Sequence, residues 1–347
     1  MSGAVKYYLN RLQQKPSFVK VNSFQWADYI ELLCLANIDG EVTANDVIDR
    51  LAERERDLFE SNEEDLEDLN FFEEFEDEEL ISRRAEIPDR WKNDLSDWFK
   101  VLQVRQASYK ESYPFIVSGD EIKKKDSVTG CQMLYIYLIL CSNLYLFDKS
   151  TISKLTSSFE IVCYNAFREI LPHSAISHVF GSNPLNKTGR YNNSLSLWQR
   201  INLLCADINE VLNPHISETN YPKKNKGDGG LDLVGWIPTG DSLPSTHIFL
   251  GQCACTENWV SKQHASSYSE WKARIIFTNQ TSNTIFIPFC FRTASGLWHN
   301  AGDIKNTFLV DRKRLLFYYL QSKSDVFAGL SVSKFVEEII NASEGIF

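Results

Sequence analysis

The chain has 347 residues, 43% of them apolar and 13% aromatic, with a net charge of −10. That length admits two domains of ordinary size, and that composition admits a substantial buried core. No run reaches 18 apolar residues, and Met1-Ser2-Gly3-Ala4-Val5-Lys6 lacks the apolar core of a signal peptide, so no membrane span and a cytoplasmic location are expected.

Apolar residues at helical spacing predict helices over 5–15 and 24–37, the second carried by Trp26, Ile30, Leu33 and Ala36. Asn37-Ile38-Asp39-Gly40 reads as a turn, and Thr43-Ala44-Asn45-Asp46 caps a helix running to about Leu58. Residues 60–79 then hold 12 Asp and Glu and no Lys or Arg, so the acidity is local; without this tract the chain is +2. A charge run of this kind reads first as a solvated linker or helix face. Phe71, Phe72 and Phe75 within it keep a second reading open, an acidic surface that docks a basic partner or covers a DNA groove. A helix over 90–112, a short strand at 113–117 and a buried helix from Thr129 to Phe147 complete a mostly helical N-terminal domain over 1–150, expected to regulate the remainder or bind a protein partner.

In 151–347, Lys and Arg number 18 against 16 Asp and Glu, a balance that lets a basic patch meet a phosphate backbone. A helix from Ser153 to Leu171 buries Leu155, Phe159, Val162, Ala166, Phe167 and Ile170 and carries Glu160 off that face. A polar loop at 181–193, a helix at 195–212 and a Lys-rich loop (Lys223, Lys224, Lys226) follow. Strands are predicted at about 230–237, 247–254 and 284–291, with a helix from Trp259 to Lys272 before the last, and helices at 311–322 and 331–342. A strand–helix–strand crossover gives a mixed sheet with helices on its faces, an α/β domain.

The chemistry concentrates at Gly227-Asp228-Gly229-Gly230-Leu231-Asp232 and at Ile248-Phe249-Leu250-Gly251-Gln252-Cys253-Ala254. A Gly-rich turn delivers Asp232 to the start of one strand, and the next strand ends in Gln252. A hard cation such as Mg²⁺ takes oxygen ligands, keeps several waters and needs one or two carboxylates, so Asp232 and Gln252 are candidate ligands, with Glu160 as a further one. Lys262, in the first turn of the next helix, is placed to reach back toward the strand end. Asp228 reads as a cap of its own turn. Cys253 and Cys255 with His247 or His264 offer zinc too loose a ligand set, and the cysteines read as core packing. Walker, dinucleotide and GxSxG patterns are absent from the sequence. The loop lysines 223, 224 and 226 are the best placed for a DNA backbone, with Lys272, Arg274, Arg312, Lys313 and Arg314 as further rim candidates.

The order Phe159-Glu160 on a helix, then the Gly-rich turn into Asp232, then apolar residues into Gln252-Cys253-Ala254, resembles the PD-(D/E)XK nuclease superfamily over about residues 153–320. The resemblance implies a restriction-endonuclease-like fold and Mg²⁺- or Mn²⁺-dependent hydrolysis of DNA phosphodiester bonds by Asp232, Gln252, Glu160 and Lys262. The chain departs from the motif at Ala254, where the superfamily places its Lys; some members move that Lys to the following helix, where Lys262 stands. The block 251–259 is more loosely similar to bacterial restriction or phage-defence proteins. A catalytically inactive relative that binds DNA or a protein partner within a defence complex is the alternative that Ala254 leaves open.

Overall fold

A computed structural model of the chain describes residues 2–13, 22–51, 94–221, 227–322 and 325–342. The acidic tract 60–79 and the loop lysines Lys223, Lys224 and Lys226 lie outside these residues. The chain divides into two compact units, each built from more than one segment, where the sequence suggested one boundary near residue 150.

The first unit comprises Met1–Met133, Arg292–Trp298 and Phe335–Phe347. Its helices are α1 (Gly3–Gln13), α2 (Ser23–Ala36), α3 (44–51 of the described residues) and α4 (94–109). It also carries a three-stranded antiparallel sheet of β1 (Glu41–Thr43), β2 (Phe115–Ser118) and β3 (Glu121–Lys124), with β3 central. Of these strands the sequence pattern revealed only the second, because β1 (Glu41-Val42-Thr43) and β3 (Glu121-Ile122-Lys123-Lys124) each hold a single apolar residue. Every residue of α2 from Phe24 to Ala36 is buried. Its two acids would be costly there without partners. Arg105 of α4 supplies them, with its guanidinium 2.7 Å from both Asp28 and Glu31, and the Tyr113 hydroxyl donates to Glu31 at 2.7 Å.

The second unit comprises Leu134–Phe291 and His299–Lys334. α5 (Gly130–Ser142) leads into it. The long α6 (Lys149–Ile170) begins where the Asp148 carboxylate accepts the Ser150 and Thr151 N–H groups, four residues before the predicted start. Then come β4 (Ile176–Val179), α7 (Leu197–Asp207) and β5 (Val211–Leu212). β6 (Leu233–Trp236), β7 (Ile248–Cys253), α8 (Trp259–Lys262) and α9 (Tyr268–Trp271) follow. The remaining elements are β8 (Ile275–Ile276), β9 (Ser282–Phe286), β10 (Phe308–Val310), α10 (Arg312–Tyr319) and α11 (Ser331–Asn341), the last running past Lys334 into the first unit's C-terminal segment.

Five strands form one mixed sheet in the order β10-β9-β7-β6-β4. β4, β6 and β7 make an antiparallel meander; β9 and β10 join β7 in parallel. The chain reaches β9 from β7 through α8 and α9, which is the crossover a parallel neighbour requires. One sheet face, with Val234, Trp236 and Leu250, packs on Leu197, Ile201 and Leu204 of α7 and Trp271 of α9. The other face meets α6, where Phe167 packs edge-on against Phe286 of β9, and α10 lies along α6. The unit is therefore α/β.

Several local expectations change. The strand expected at 284–291 is β9 at Ser282–Phe286, the helix expected at 195–212 ends at Asp207 with Val211–Leu212 pairing as β5, and the helix expected to Phe147 ends at Ser142. The helix expected over 259–272 is two short helices, because His264–Ser267 turns and the Ser267 hydroxyl caps α9 at the Glu270 N–H. β4 and β10 did not stand out in the sequence, since both are edge strands of four and three residues, too short to display a periodicity. Arg312, expected on a phosphate-facing rim, is fully buried; its guanidinium donates to the Pro288 carbonyl at 2.8 Å and to the Ser142 hydroxyl at 3.0 Å, so it is a core residue. No described helix is long and apolar enough to cross a membrane.

Candidate active site at the β6 and β7 strand ends

Strand register brings the two central residues together. Leu233 pairs with Gly251, so the antiparallel ladder continues with Asp232 facing Gln252, and the Asp232 N–H donates to the Gly251 carbonyl at 2.9 Å. The Asp232 carbonyl accepts from the Phe180 N–H at 2.7 Å, which ties the same position to the end of β4. The turn before it requires glycine. Gly230 sits at φ +81°, and a Cβ there would lie 2.5 Å from the Cβ of Ala265. Arg200, buried in α7, fixes the turn from beneath by donating to the carbonyls of Gly227 (2.9 Å), Leu195 (2.8 Å) and Asn192 (3.3 Å).

Asp232 is buried, and its Oδ2 accepts two hydrogen bonds of 2.7 Å, from the Gln252 side-chain amide and the Cys253 N–H. The other end of the Gln252 amide, Oε1, is buried with no hydrogen-bond partner among the described residues. With Asp232 ionised, the reverse orientation of the amide would set its oxygen against the carboxylate, so the orientation that donates is the one the anion selects.

Glu160 approaches from α6, half-buried, with Oε2 accepting from the Asn183 side-chain amide at 2.6 Å. Burial, aided by the Asp228 charge, pushes its carboxyl up to about 7 against a hydrogen bond from Asn183 that opposes the shift. The Asp232 carboxyl is also driven well above the usual range, first by burial and then by the charges of Glu160 and Asp228, with the Cys253 N–H and Lys262 opposing. Three acids thus share one field. Asp228 does cap its turn, with Oδ1 accepting the Gly230 N–H at 2.7 Å, and it also belongs to this electrostatic group. Lys262 is half-buried at the end of α8, and its charge acts on Asp232 through space. Ala254, at the position of the motif Lys, is fully buried.

The structure therefore brings Asp232 and Gln252 into direct contact and couples Glu160 and Lys262 to them by charge. Two contributors escaped the sequence reading. Asn183 lies in a polar loop 23 residues from Glu160, and Arg200 is one residue of the amphipathic helix α7. Neither carries a local signal.

The donors suit a hard divalent cation. All are oxygens, and two carboxylates are held in a field that raises them both. One neutral carbonyl oxygen, of Gln252, has no donor to meet it among the described residues. No three His, Cys, Asp or Glu among the described residues are grouped to hold a metal ion, so a cation here would rest on one or two carboxylates with the Gln252 oxygen and waters. The cysteines serve elsewhere: Cys163 hydrogen-bonds Cys253 and Cys141 hydrogen-bonds Cys255, and burial pushes the Cys163 thiol up to about 11 and raises those of Cys253 and Cys255 well above the usual thiol range. No family model matches the chain, and no curated protein or solved structure matches it either.

Proposed function

We propose that the second unit is a metal-dependent endonuclease of the PD-(D/E)XK type, hydrolysing DNA phosphodiester bonds with Mg²⁺ or Mn²⁺, and that it serves bacterial restriction or anti-phage defence. The observation that carries this reading is the pairing of Asp232 with Gln252 across adjacent strand ends, under the influence of Glu160 from the preceding helix. The order helix, three-stranded antiparallel meander, helical crossover and parallel strand supports a restriction-endonuclease-like fold for the same segment.

In this reading Asp232, Glu160 and the Gln252 carbonyl oxygen hold the cation. The cation, when bound, activates water and offsets charge growing on the phosphate. The Gln252 amide N–H orients the Asp232 carboxylate, leaving its own oxygen available. Lys262 supplies the positive charge that the superfamily usually places at the Ala254 position, stabilising the phosphate or orienting the attacking water. Lys223, Lys224 and Lys226, just before the Gly-rich turn, contact the DNA backbone. The first unit regulates this activity or docks a protein partner, with the acidic tract 60–79 as its candidate surface.

Plasmid cleavage with Mg²⁺ or Mn²⁺ by wild type and Asp232→Ala tests the reading; equal nicking by both removes it. Ala254, standing where the superfamily places its Lys, favours one alternative, an inactive nuclease-fold module that binds DNA or a partner in a defence complex. Salt-sensitive DNA binding without metal-dependent turnover selects that alternative.

A further inference from the structure

We propose that Asn183 is a positioning residue of the acidic site, holding the Glu160 carboxylate in place from the turn that follows β4. What Glu160 does rests on the divalent-cation reading above; what Asn183 does rests on hydrogen-bond geometry. Asn183 is 3% exposed, in a loop whose neighbours Ser182, Pro184 and Leu185 are exposed. Its side-chain nitrogen donates to Glu160 Oε2 at 2.6 Å and to the Ser157 carbonyl at 2.8 Å, one helical turn apart on α6. Its oxygen accepts the Leu185 N–H at 2.8 Å. Rotating the amide would break all three contacts, so its orientation is determined.

The amide is itself anchored. The Asn183 carbonyl accepts the Asn186 N–H at 2.9 Å, and the buried Asn186 side chain donates to the carbonyls of Val179 and Tyr191. The same short segment touches the other two acids. Phe180 donates its N–H to the Asp232 carbonyl, and Gly181, at φ +133°, lets Asp228 pack where a Cβ would lie 3.0 Å from the Asp228 Cβ. Three residues within the four-residue stretch 180–183 therefore touch Glu160, Asp228 and Asp232 in turn. A glutamate has three rotatable side-chain bonds, and an unheld one presents its oxygens to a cation only part of the time. Outer partners that orient a ligand are worth ~10- to 100-fold in metal affinity.

The test is Mn²⁺ binding to the full-length protein by calorimetry, with thermal unfolding recorded for every variant. Asn183→Ala is expected to weaken binding ~10- to 100-fold, and Asn183→Ser, smaller in its perturbation, to do the same if the alanine variant fails to fold. In a Glu160→Ala background, Asn183→Ala should cost no further affinity, because the carboxylate it holds is gone. An equal loss in both backgrounds means a merely structural role and overturns the proposal. Unchanged binding in Asn183→Ala beside a loss in Asp232→Ala overturns it and leaves the metal reading standing. Wild type that binds no Mn²⁺, or Asp232→Ala that binds as well as wild type, overturns the metal reading and the positioning role with it.

Discussion

The Gln252 amide N–H donates to Asp232 Oδ2 at 2.7 Å, while the amide oxygen is buried with no hydrogen-bond partner among the described residues. An unmet buried acceptor costs free energy, so this contact is a poor choice for stability alone and a good one for presenting an oxygen to a cation. Gln252→Glu should replace donor by acceptor and set two carboxylates against each other. Without metal the variant should be less stable by ~1–3 kcal/mol at pH 8, and saturating Mg²⁺ should recover most of the loss. Denaturant unfolding with and without Mg²⁺ reads both effects; a variant as stable as wild type in EDTA would show that the amide N–H is not what holds Asp232.

Asp232→Ala should abolish plasmid cleavage, with a rate loss of ~1,000-fold or more, since the cation and its several kcal/mol of charge stabilisation depend on this carboxylate. DNA binding in EDTA should survive, because backbone contacts come from lysines. Turnover measured beside filter binding separates the two.

Burial first, and the Asp228 charge second, raise the Glu160 carboxyl from its usual 4.5 to about 7. A raised folded value means that the folded state holds the proton more tightly than the unfolded chain does. The resulting contribution to stability is complete below pH 4.5 and is lost as the pH climbs through about 7. Metal-free wild type should therefore lose stability across that window relative to Glu160→Gln, which cannot ionise. Parallel stability–pH profiles for the two proteins would refute the assignment.

Lys262→Ala should lower cleavage ~100-fold or more while leaving Mg²⁺ affinity within a few-fold of wild type, because the ammonium acts on the phosphate and not as a ligand. Ala254→Lys, which would restore the superfamily's own residue, should fail to rescue it. Ala254 is fully buried, and an ammonium placed there would lose its water; the variant should be several kcal/mol less stable. Rescue of Lys262→Ala by Ala254→Lys would disprove this reading of the site.

Gly230→Ala should destabilise the second unit by ~2 kcal/mol or more, through a backbone at φ +81° and a contact of 2.5 Å with Ala265 that must be relieved. The displaced turn should carry Asp232 with it, so cleavage should fall further than the thermal midpoint alone explains. A variant with wild-type melting temperature and activity would show that the turn relaxes freely.

Local sequence determined a good deal. Helical spacing located α2, α6 and α7, and alternation with bounding turns located β6, β7 and β9, because apolar periodicity and turn residues act over a few neighbours. It also marked Asp232 and Gln252, each at the end of a legible strand. Only the tertiary structure decided the rest. The contact of Asn183 with Glu160 spans 23 residues and that of Gln252 with Asp232 spans 20, and such closures depend on sheet register and helix packing. Edge strands β4 and β10 draw their order from pairing with β6 and β9, since three or four residues carry too little pattern of their own. Arg312 read as a rim cation until packing buried it against the Pro288 carbonyl, and Arg200 is buried in the same way against the Gly227 carbonyl, which is a property of neighbours distant in the chain.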